Sequence, residues 1–153
     1  MPTRSSRKRV LMSAALMPAL LVVVACGSAA SAPTVVLGSS AYAEHIGAGW
    51  GTPHPSKIFN GGDPSGLVTH IHWSSWGGAT ASGHGLNAIF KPNGGYYGKL
   101  VTIDLHAYDK GRCTSRGPIA YRRLSVREPS RPGGPVGPWQ AWGGSKSLCS
   151  SGL

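Results

Sequence analysis

The sequence predicts an all-β domain, a small disulfide-linked sandwich or open barrel, that follows an N-terminal signal segment. Three stretches, 67–76, 99–108 and 119–127, alternate apolar with polar residues and are rich in β-branched or aromatic side chains, which is typical of strands. The chain also contains 23 glycines and 12 prolines, which provide turns between the strands. No window beyond residue 26 keeps a helical periodicity, so the pattern favours strands throughout.

The first 26 residues have the features of a secretory signal. Four basic residues, the last of them Arg9, precede an uncharged apolar run from Val10 to Ala25. This run is shorter than the roughly 20 residues that a membrane-spanning helix needs, and a basic start before such a run is typical of a signal segment. Because the basic end stays in the cytoplasm, we expect the rest of the chain to be exported.

Two kinds of processing fit the end of this segment. The sequence V-V-A-C at 23–26 resembles a bacterial lipobox, in which the thiol of Cys26 would receive a diacylglycerol and become the new N-terminus. Ordinary signal peptidase would instead cut after the small residues that end at Ala30 or at Ala43. The first route predicts a lipoprotein on the outer face of the cytoplasmic membrane, and the second predicts a secreted protein.

The exported part is expected to have two regions. Residues 27–56 begin with a stretch rich in Gly, Ser and Ala and are predicted to form a flexible tether. Residues 57–153 are predicted to form one β-rich extracellular domain. All five acidic residues and most of the 15 basic residues lie after the signal, so the exported part remains basic.

Cysteine parity supports a disulfide in the exported domain. The chain has three cysteines, Cys26, Cys113 and Cys149. Lipidation of Cys26 leaves the other two to pair. Cleavage after Ala30 or Ala43 removes Cys26 and leaves the same pair, so parity excludes only the uncleaved form.

The first half of the domain begins with a cluster of turn residues at 60–66. The strand 67–76 follows, and alternation would place four of its side chains on the core face: Leu67, Thr69, Ile71 and Trp73. A weaker strand is expected over 79–90, because two glycines interrupt its pattern. A hairpin turn is expected at 91–95.

The second half has the clearest alternation, in the strand 99–108. Its predicted core side chains are Val101, Ile103, Leu105 and Ala107. A turn leads to the strand 119–127, in which Arg122 interrupts an apolar face of Ala120, Leu124 and Val126. Residues 129–138 contain four prolines and three glycines and are predicted to be an exposed loop, after which 139–149 return to the body.

A run of motifs resembles a group of small exported actinobacterial proteins of unassigned function. The motifs are D-P-S-G at 63–66, I-x-W-x-x-W-G-G at 71–78 and the late cysteine pair. The resemblance covers roughly 62–149 and departs after Arg122, where a basic stretch rich in Pro and Gly replaces an aromatic strand. It implies an envelope or secreted location and a disulfide, and it implies no activity.

One candidate site is a set of histidines with an aspartate. His70 and His72 are two apart on a predicted strand and would share a face, as would Asp104 and His106. If the two strands were neighbours, the four side chains could surround one metal ion or serve a hydrolase. The alternative, which we favour, is that they are polar residues on a solvent-facing surface. No cofactor is expected.

A second candidate site is a basic surface in the C-terminal part of the chain. The region 110–146 has one acidic residue, Glu128, and its candidate anion-binding side chains are Arg122, Arg123, Arg127 and Arg131. Such a surface would attract anionic envelope polymers or lipid headgroups. Nucleic acid is not expected as a partner outside the cell.

The aromatic and acidic residues complete the list of candidates. Trp76, Trp139 and Trp142 could form a platform for sugar rings, although tryptophans more often pack a small core. The sequence contains no G-x-S-x-G, no H-E-x-x-H and no phosphate-binding glycine loop. Nothing in it marks two of its five acids as the carboxylate pair of a glycoside hydrolase.

These observations favour a non-enzymatic binding or interaction domain of the cell envelope. Two alternatives stay open. One is a small metal-dependent or hydrolytic enzyme that uses the histidines and Asp104, and the other is a structural surface protein.

Overall fold

The computed structural model describes residues 33–43, 45–144 and 147–150. Its strands are β1 (Val35–Leu37), β2 (Ile58–Phe59), β3 (Leu67–Ser75), β4 (Ala81–Asn87), β5 (Val101–Arg112), β6 (Ile119–Arg127) and β7 (Gln140–Ala141). Short 3-10 turns lie at Ser40–Tyr42, Pro64–Gly66 and Trp142–Gly144. In the described part of the chain, no helix has the length and apolar character to cross a membrane. The predicted signal segment, Cys26 and the cleavage site at Ala30 lie outside these residues.

All of the strands belong to one sheet, ordered β1-β6-β5-β4-β3-β2, with β7 also paired to β6. Neighbouring strands are antiparallel except for β1, which runs parallel to β6. The first half of β6 pairs with β1 and its second half pairs with β7. The sheet is curled into a half-barrel, so the predicted all-β, open-barrel class is confirmed.

The core lies on one side of this sheet, and β5 contributes four side chains to it, as predicted. Its inward side chains, Val101, Ile103, Leu105 and Ala107, are each at most 6% exposed. The two glycines that weaken the pattern of β4 have a packing reason. A Cβ at Gly85 would lie 2.6 Å from Cγ1 of Val68, and a Cβ at Gly83 would lie 2.7 Å from the carbonyl oxygen of His72. Strand β4 therefore needs glycine where β3 crosses close to it.

Strand β3 departs from the predicted alternation at His70. Thr69 pairs with Leu86 but His72 pairs with His84, so β3 has one extra residue in this interval, and His70 takes a φ of 52°. Such a bulge reverses the inward and outward sides of a strand. Val68 is therefore buried together with Ile71, and the prediction that assigned these two residues to opposite faces is wrong.

The predicted tether at 27–56 is also wrong over much of its length. Val35–Leu37 is the buried strand β1, and Trp50 is 4% exposed with its indole Nε1 donating to the carbonyl oxygen of Phe59 at 2.8 Å. The amide of Leu37 donates to Thr52 at 3.0 Å. A run of three apolar residues is too short to predict a strand, and here long-range pairing with β6 decides its structure.

On β6, Tyr121 is buried although alternation predicts it on the outer side with Arg123. Its hydroxyl donates to the carbonyl oxygens of Gly78 and Thr80, at 3.1 and 3.3 Å. Its ring also makes an edge contact with Trp76, with the ring centroids 5.1 Å apart. The turn between β3 and β4 therefore covers this end of β6.

Residues 147–150 are attached to the rest of the domain at two places. Cys113 is bonded to Cys149, as predicted, and this bond joins residues 36 positions apart. Next to it, Leu148 is 1% exposed and its amide donates to the carbonyl oxygen of Arg122 at 2.7 Å. The predicted loop 129–138 contains turns and a single bridge between Pro129 and Val136.

Candidate functional site

The outward side of the sheet carries a row of polar side chains, one from each of four strands. His72 pairs with His84, His84 with Asp104, and Asp104 with Arg127. Residues opposite each other on antiparallel strands have side chains about 5 Å apart, so this row is continuous. Together with His106 and Trp139 we call it the outer-face cluster: His72, His84, Asp104, His106, Arg127 and Trp139.

Arg127 is the centre of this cluster. Its Nε donates to Oδ2 of Asp104 at 2.8 Å, and its Cζ lies 4.9 Å from the ring centroid of Trp139. Trp139 is 46% exposed and also contacts the ring of His106, with the centroids 5.7 Å apart. His106 stacks in turn on Tyr108 at 5.4 Å and 16°. The cluster is therefore a patch of flat rings beside a guanidinium that is held in place by a carboxylate.

The structure does not bring together the four side chains of the candidate metal or hydrolase site, His70, His72, Asp104 and His106. Strand β4 separates β3 from β5, so the two predicted pairs are about 10 Å apart across the sheet. His70 lies in the bulge, and Asp104 already accepts a hydrogen bond from Arg127. Among the residues that the structure describes, no group of three or more His, Cys, Asp or Glu side chains could hold a metal ion.

Three of the four candidate anion-binding arginines are paired with aspartates, so the four do not form a row of free cations. Arg122 and Arg123 share Asp109, at 2.6 and 3.6 Å, and Arg127 is paired with Asp104. Arg131 is exposed in the loop after β6. Gly111 makes room for Arg122, because a Cβ there would lie 2.9 Å from its guanidinium carbon.

The β5–β6 hairpin nevertheless keeps an excess of positive charge. Between Asp104 and Arg127 the chain has six arginine and lysine residues and two aspartates, so the formal charge of this segment is +4. Lys110 donates to the carbonyl oxygen of Gly77, and Arg112 donates to that of Gly117. Carbonyl oxygens position these cations but do not neutralise them.

A second candidate site is a cleft of about 510 Å³ that two glycine-rich turns enclose. One turn is the D-P-S-G motif at 63–66 with the glycines before it, and the other is Trp142–Gly144. We call it the turn cleft. Its further lining includes Phe90, Glu128 and Gln140. Val126 lines the cleft and packs against the core, whereas the next residue, Arg127, faces outward, so the turn cleft and the outer-face cluster lie on opposite sides of β6.

Hydrogen bonds hold the first turn of the cleft in shape. Oδ1 of Asp63 accepts from the amide and the hydroxyl of Ser65, at 3.1 and 2.6 Å, and caps the 3-10 turn that Pro64 begins. Beneath it, Asn87 is 2% exposed and donates from Nδ2 to the carbonyl oxygens of Ser65 and Leu67. Hydrogen bonds from Ser65 and from Tyr96 lower the pKa of Asp63 below its usual value.

The second turn is joined to the first by a side-chain bond, because the indole Nε1 of Trp142 donates to Oδ1 of Asn60 at 2.8 Å. Across the cleft, burial raises the pKa of the Glu128 carboxyl above its usual value. Two acids with opposite pKa shifts, Asp63 and Glu128, therefore line one cleft. Asp63 and Glu128 are far apart in the sequence and belong to no common motif, so they were not predicted to line the same cleft.

The three tryptophans that could form a sugar platform have different places. Trp142 is 4% exposed and belongs to the core, and Trp76 packs against the core with its Nε1 donating to Val35 at 3.0 Å. Trp139 alone of the three is exposed. His84 belongs to the outer-face cluster without having been predicted as a site residue, since only the strand order shows that it neighbours Asp104.

Comparison of the chain with protein-family models, with curated proteins and with solved structures finds no match in any of the three.

Proposed function

We propose that this chain is an exported binding domain of the cell envelope, without catalytic activity of its own, that holds an anionic polymer on its outer-face cluster. The observation that carries the proposal is the position of Arg127 over the exposed ring of Trp139. A guanidinium beside a flat aromatic ring offers a positive charge and a stacking surface to the same ligand.

The ion pair with Asp104 supports this role. The bond to Asp104 uses Nε of Arg127, and a guanidinium has further donors on Nη1 and Nη2 that can meet phosphate or carboxylate oxygens. The carboxylate fixes the side chain before a ligand arrives, so less conformational entropy is lost on binding. Arg123, on the same outward side of β6, has about half of its side chain exposed and extends the positive surface.

The charge of the surrounding hairpin favours an anionic partner. The segment from Asp104 to Arg127 carries a formal charge of +4, and the chain after residue 26, with 11 basic and five acidic residues, carries +6. A surface of this kind raises the local concentration of anions and speeds their association. Envelope polymers with phosphate or carboxylate groups have the complementary charge, and an exported protein would meet them outside the membrane.

The first experiment measures binding of the exported domain to poly(glycerol phosphate), an anionic envelope-type polymer, with neutral dextran as the comparison. We expect affinity for the anionic polymer to fall steeply between about 0.01 M and 1 M salt, where the Debye length shrinks from roughly 30 Å to 3 Å. Replacing Arg123 and Arg127 together by alanine should remove most of the binding. Replacing Lys57 and Lys91, two exposed cations outside β5 and β6, changes the charge equally and should have a smaller effect.

Binding that does not depend on salt, or equal losses in the two double variants, would overturn the proposal. The first result would exclude charge as the source of affinity. The second would mean that net charge, rather than the outer-face cluster, attracts the polymer.

The proposed location has its own test, which is mass spectrometry of the mature protein recovered separately from membrane and medium. A membrane-bound species that begins at Cys26 and carries a lipid mass is the outcome expected for a lipoprotein. A lipid-free species that begins after Ala30 or Ala43 in the medium would replace the anchor by free secretion. Either product is consistent with export, and an intact N-terminus in the cytoplasm would contradict it.

A further inference from the structure

We infer that the turn cleft is a second ligand site and that it binds a short neutral oligosaccharide. The cleft, at about 510 Å³, has the size of small-molecule sites in proteins. It lies on the other side of β6 from the outer-face cluster, so this inference does not depend on the anionic polymer proposed above.

A ligand can approach the backbone closely at the walls of the cleft. Gly62 and Gly144 have φ values of 89° and 66°, and a Cβ at either position would meet no atom within 4 Å. Side chains other than glycine rarely adopt this backbone conformation, so the turns leave peptide groups uncovered beside the cleft. Uncovered amide and carbonyl groups can bond directly to the hydroxyl groups of a sugar.

The rim of the cleft provides an apolar surface. Phe90 is 53% exposed, and its ring packs against Tyr96 with the centroids 4.5 Å apart. Tyr96 also lies close enough to Asp63 to lower the pKa of that carboxyl, so this aromatic pair is next to the first turn. A fixed and exposed ring of this kind suits the apolar C–H face of a pyranose, which needs a flat partner.

The polar groups of the cleft suit a neutral and hydroxylated ligand. The amide of Asn60, together with Glu128 and Gln140, gives the cleft both donors and acceptors. None of the described residues that line the cleft is a lysine or an arginine, so it lacks the charge that an anionic ligand would require. Asn60 uses Oδ1 for Trp142, because an indole can only donate, and its Nδ2 is therefore the group that remains to bond a ligand oxygen.

The hydrogen bonds of Asp63 distinguish the turn cleft from the active site of a hydrolase that uses two carboxylates. The side chain of Asp63 already accepts from the amide and hydroxyl of Ser65, and it is exposed to solvent. A carboxylate in that state shapes the turn and is not placed to activate water. The cleft is therefore assigned to binding.

The test is a titration of the isotope-labelled exported domain with chitotetraose and with cellotetraose, followed through backbone amide resonances. We expect saturable shifts at Gly61, Gly62, Gly66 and Gly143, with a Kd below about 10 mM for at least one sugar. Phe90→Ala should weaken binding by about threefold to tenfold, the effect of losing one aromatic contact. Leu100→Ala, which removes another exposed apolar side chain outside the cleft, should bind as the wild type does.

Three results would overturn the inference. They are the absence of shifts with both sugars at about 10 mM, shifts that map to the outer-face cluster instead, and wild-type affinity in Phe90→Ala. Near-ultraviolet circular dichroism of each variant verifies that the fold is kept, and Glu128→Gln provides a second substitution that preserves the shape of the cleft. Loss of polymer binding by the arginine variants would leave these sugar titrations unchanged, so the two proposals fail separately.

Discussion

The indole of Trp142 donates its Nε1 hydrogen to Oδ1 of Asn60 over 2.8 Å, and this bond joins two turns that lie at opposite ends of the domain sequence. Trp142 is 4% exposed, so replacing Asn60 by an apolar residue would leave a largely buried N–H without its protein partner. A donor left unpaired in such a place costs about 1–3 kcal/mol. The bond therefore contributes to stability and also fixes the spacing of the turn cleft.

A double-mutant cycle on this pair tests its contribution. We expect Asn60→Leu to lower the free energy of unfolding by about 1–3 kcal/mol. In a Trp142→Phe background the same change should cost about 1 kcal/mol less, because the unpaired donor is already gone. Urea denaturation of the four proteins measures the coupling. Additive effects of the two substitutions would show that the bond contributes nothing to stability.

The disulfide gives the second prediction. Cys113 and Cys149 are 36 positions apart, and in the chain-entropy model a loop of this length contributes about 4 kcal/mol. Total stability of a domain this size is about 5–15 kcal/mol, so the bond provides a large fraction of it. We expect Cys113→Ser with Cys149→Ser to lower the denaturation midpoint sharply, and a reducing agent to have the same effect on the wild type.

The control for this prediction is the reducing agent added to the double serine variant, whose midpoint should not change. A double variant as stable as the oxidised wild type would contradict the prediction. It would mean that hydrogen bonds such as that from Leu148 to Arg122 suffice to hold the chain end.

The bulge in β3 gives the third prediction. His70 has a φ of 52°, where a β-branched residue is strained by about 1–2 kcal/mol, while His72 pairs regularly with His84 and is also exposed. His70→Val should therefore destabilise the domain by about this amount. His72→Val should be neutral or slightly stabilising, because valine favours strands. Thermal unfolding of the two variants tests this prediction. Equal effects on stability would mean that the strand is regular at both positions.

The same bulge explains how much of the fold could be predicted. The alternation in β5 is local and unbroken, so its buried residues from Val101 to Ala107 could be assigned from the sequence. The extra residue at His70 cannot be recognised from the amino-acid composition. It places Val68 on the face opposite to the predicted one. Strand β1 has only three residues, and its burial depends on a partner far along the chain.

The candidate sites were less predictable than the fold. The candidate residues Asp104, His106 and Arg127 do lie in one cluster, because β5 and β6 are adjacent. His72 meets them only through His84, whose strand had the weakest pattern. The D-P-S-G turn and the second W-G-G turn were visible as motifs, but their meeting in one cleft depends on the curl of the sheet and on the bond between Asn60 and Trp142.

The two acids of the turn cleft, Glu128 and Asp63, should affect the stability of the domain in opposite directions as the pH changes. Burial raises the pKa of Glu128 in the folded state, so its contribution to stability is fully present below the unfolded pKa and is lost as pH rises through the folded one. Glu128→Gln keeps the uncharged shape. It should therefore be more stable than the wild type at neutral pH, and the difference should vanish below about pH 4.

Asp63 is the matched case, because hydrogen bonds from Ser65 and Tyr96 lower its folded pKa. Its contribution is present above the unfolded pKa and is lost as pH falls through the folded one. Asp63→Asn should therefore be less stable than the wild type at neutral pH, and the two should converge in acid. Denaturation midpoints of the three proteins across the acidic range measure both trends. Parallel curves for the two variants would contradict the assignment, since they would mean that both carboxyls share one environment.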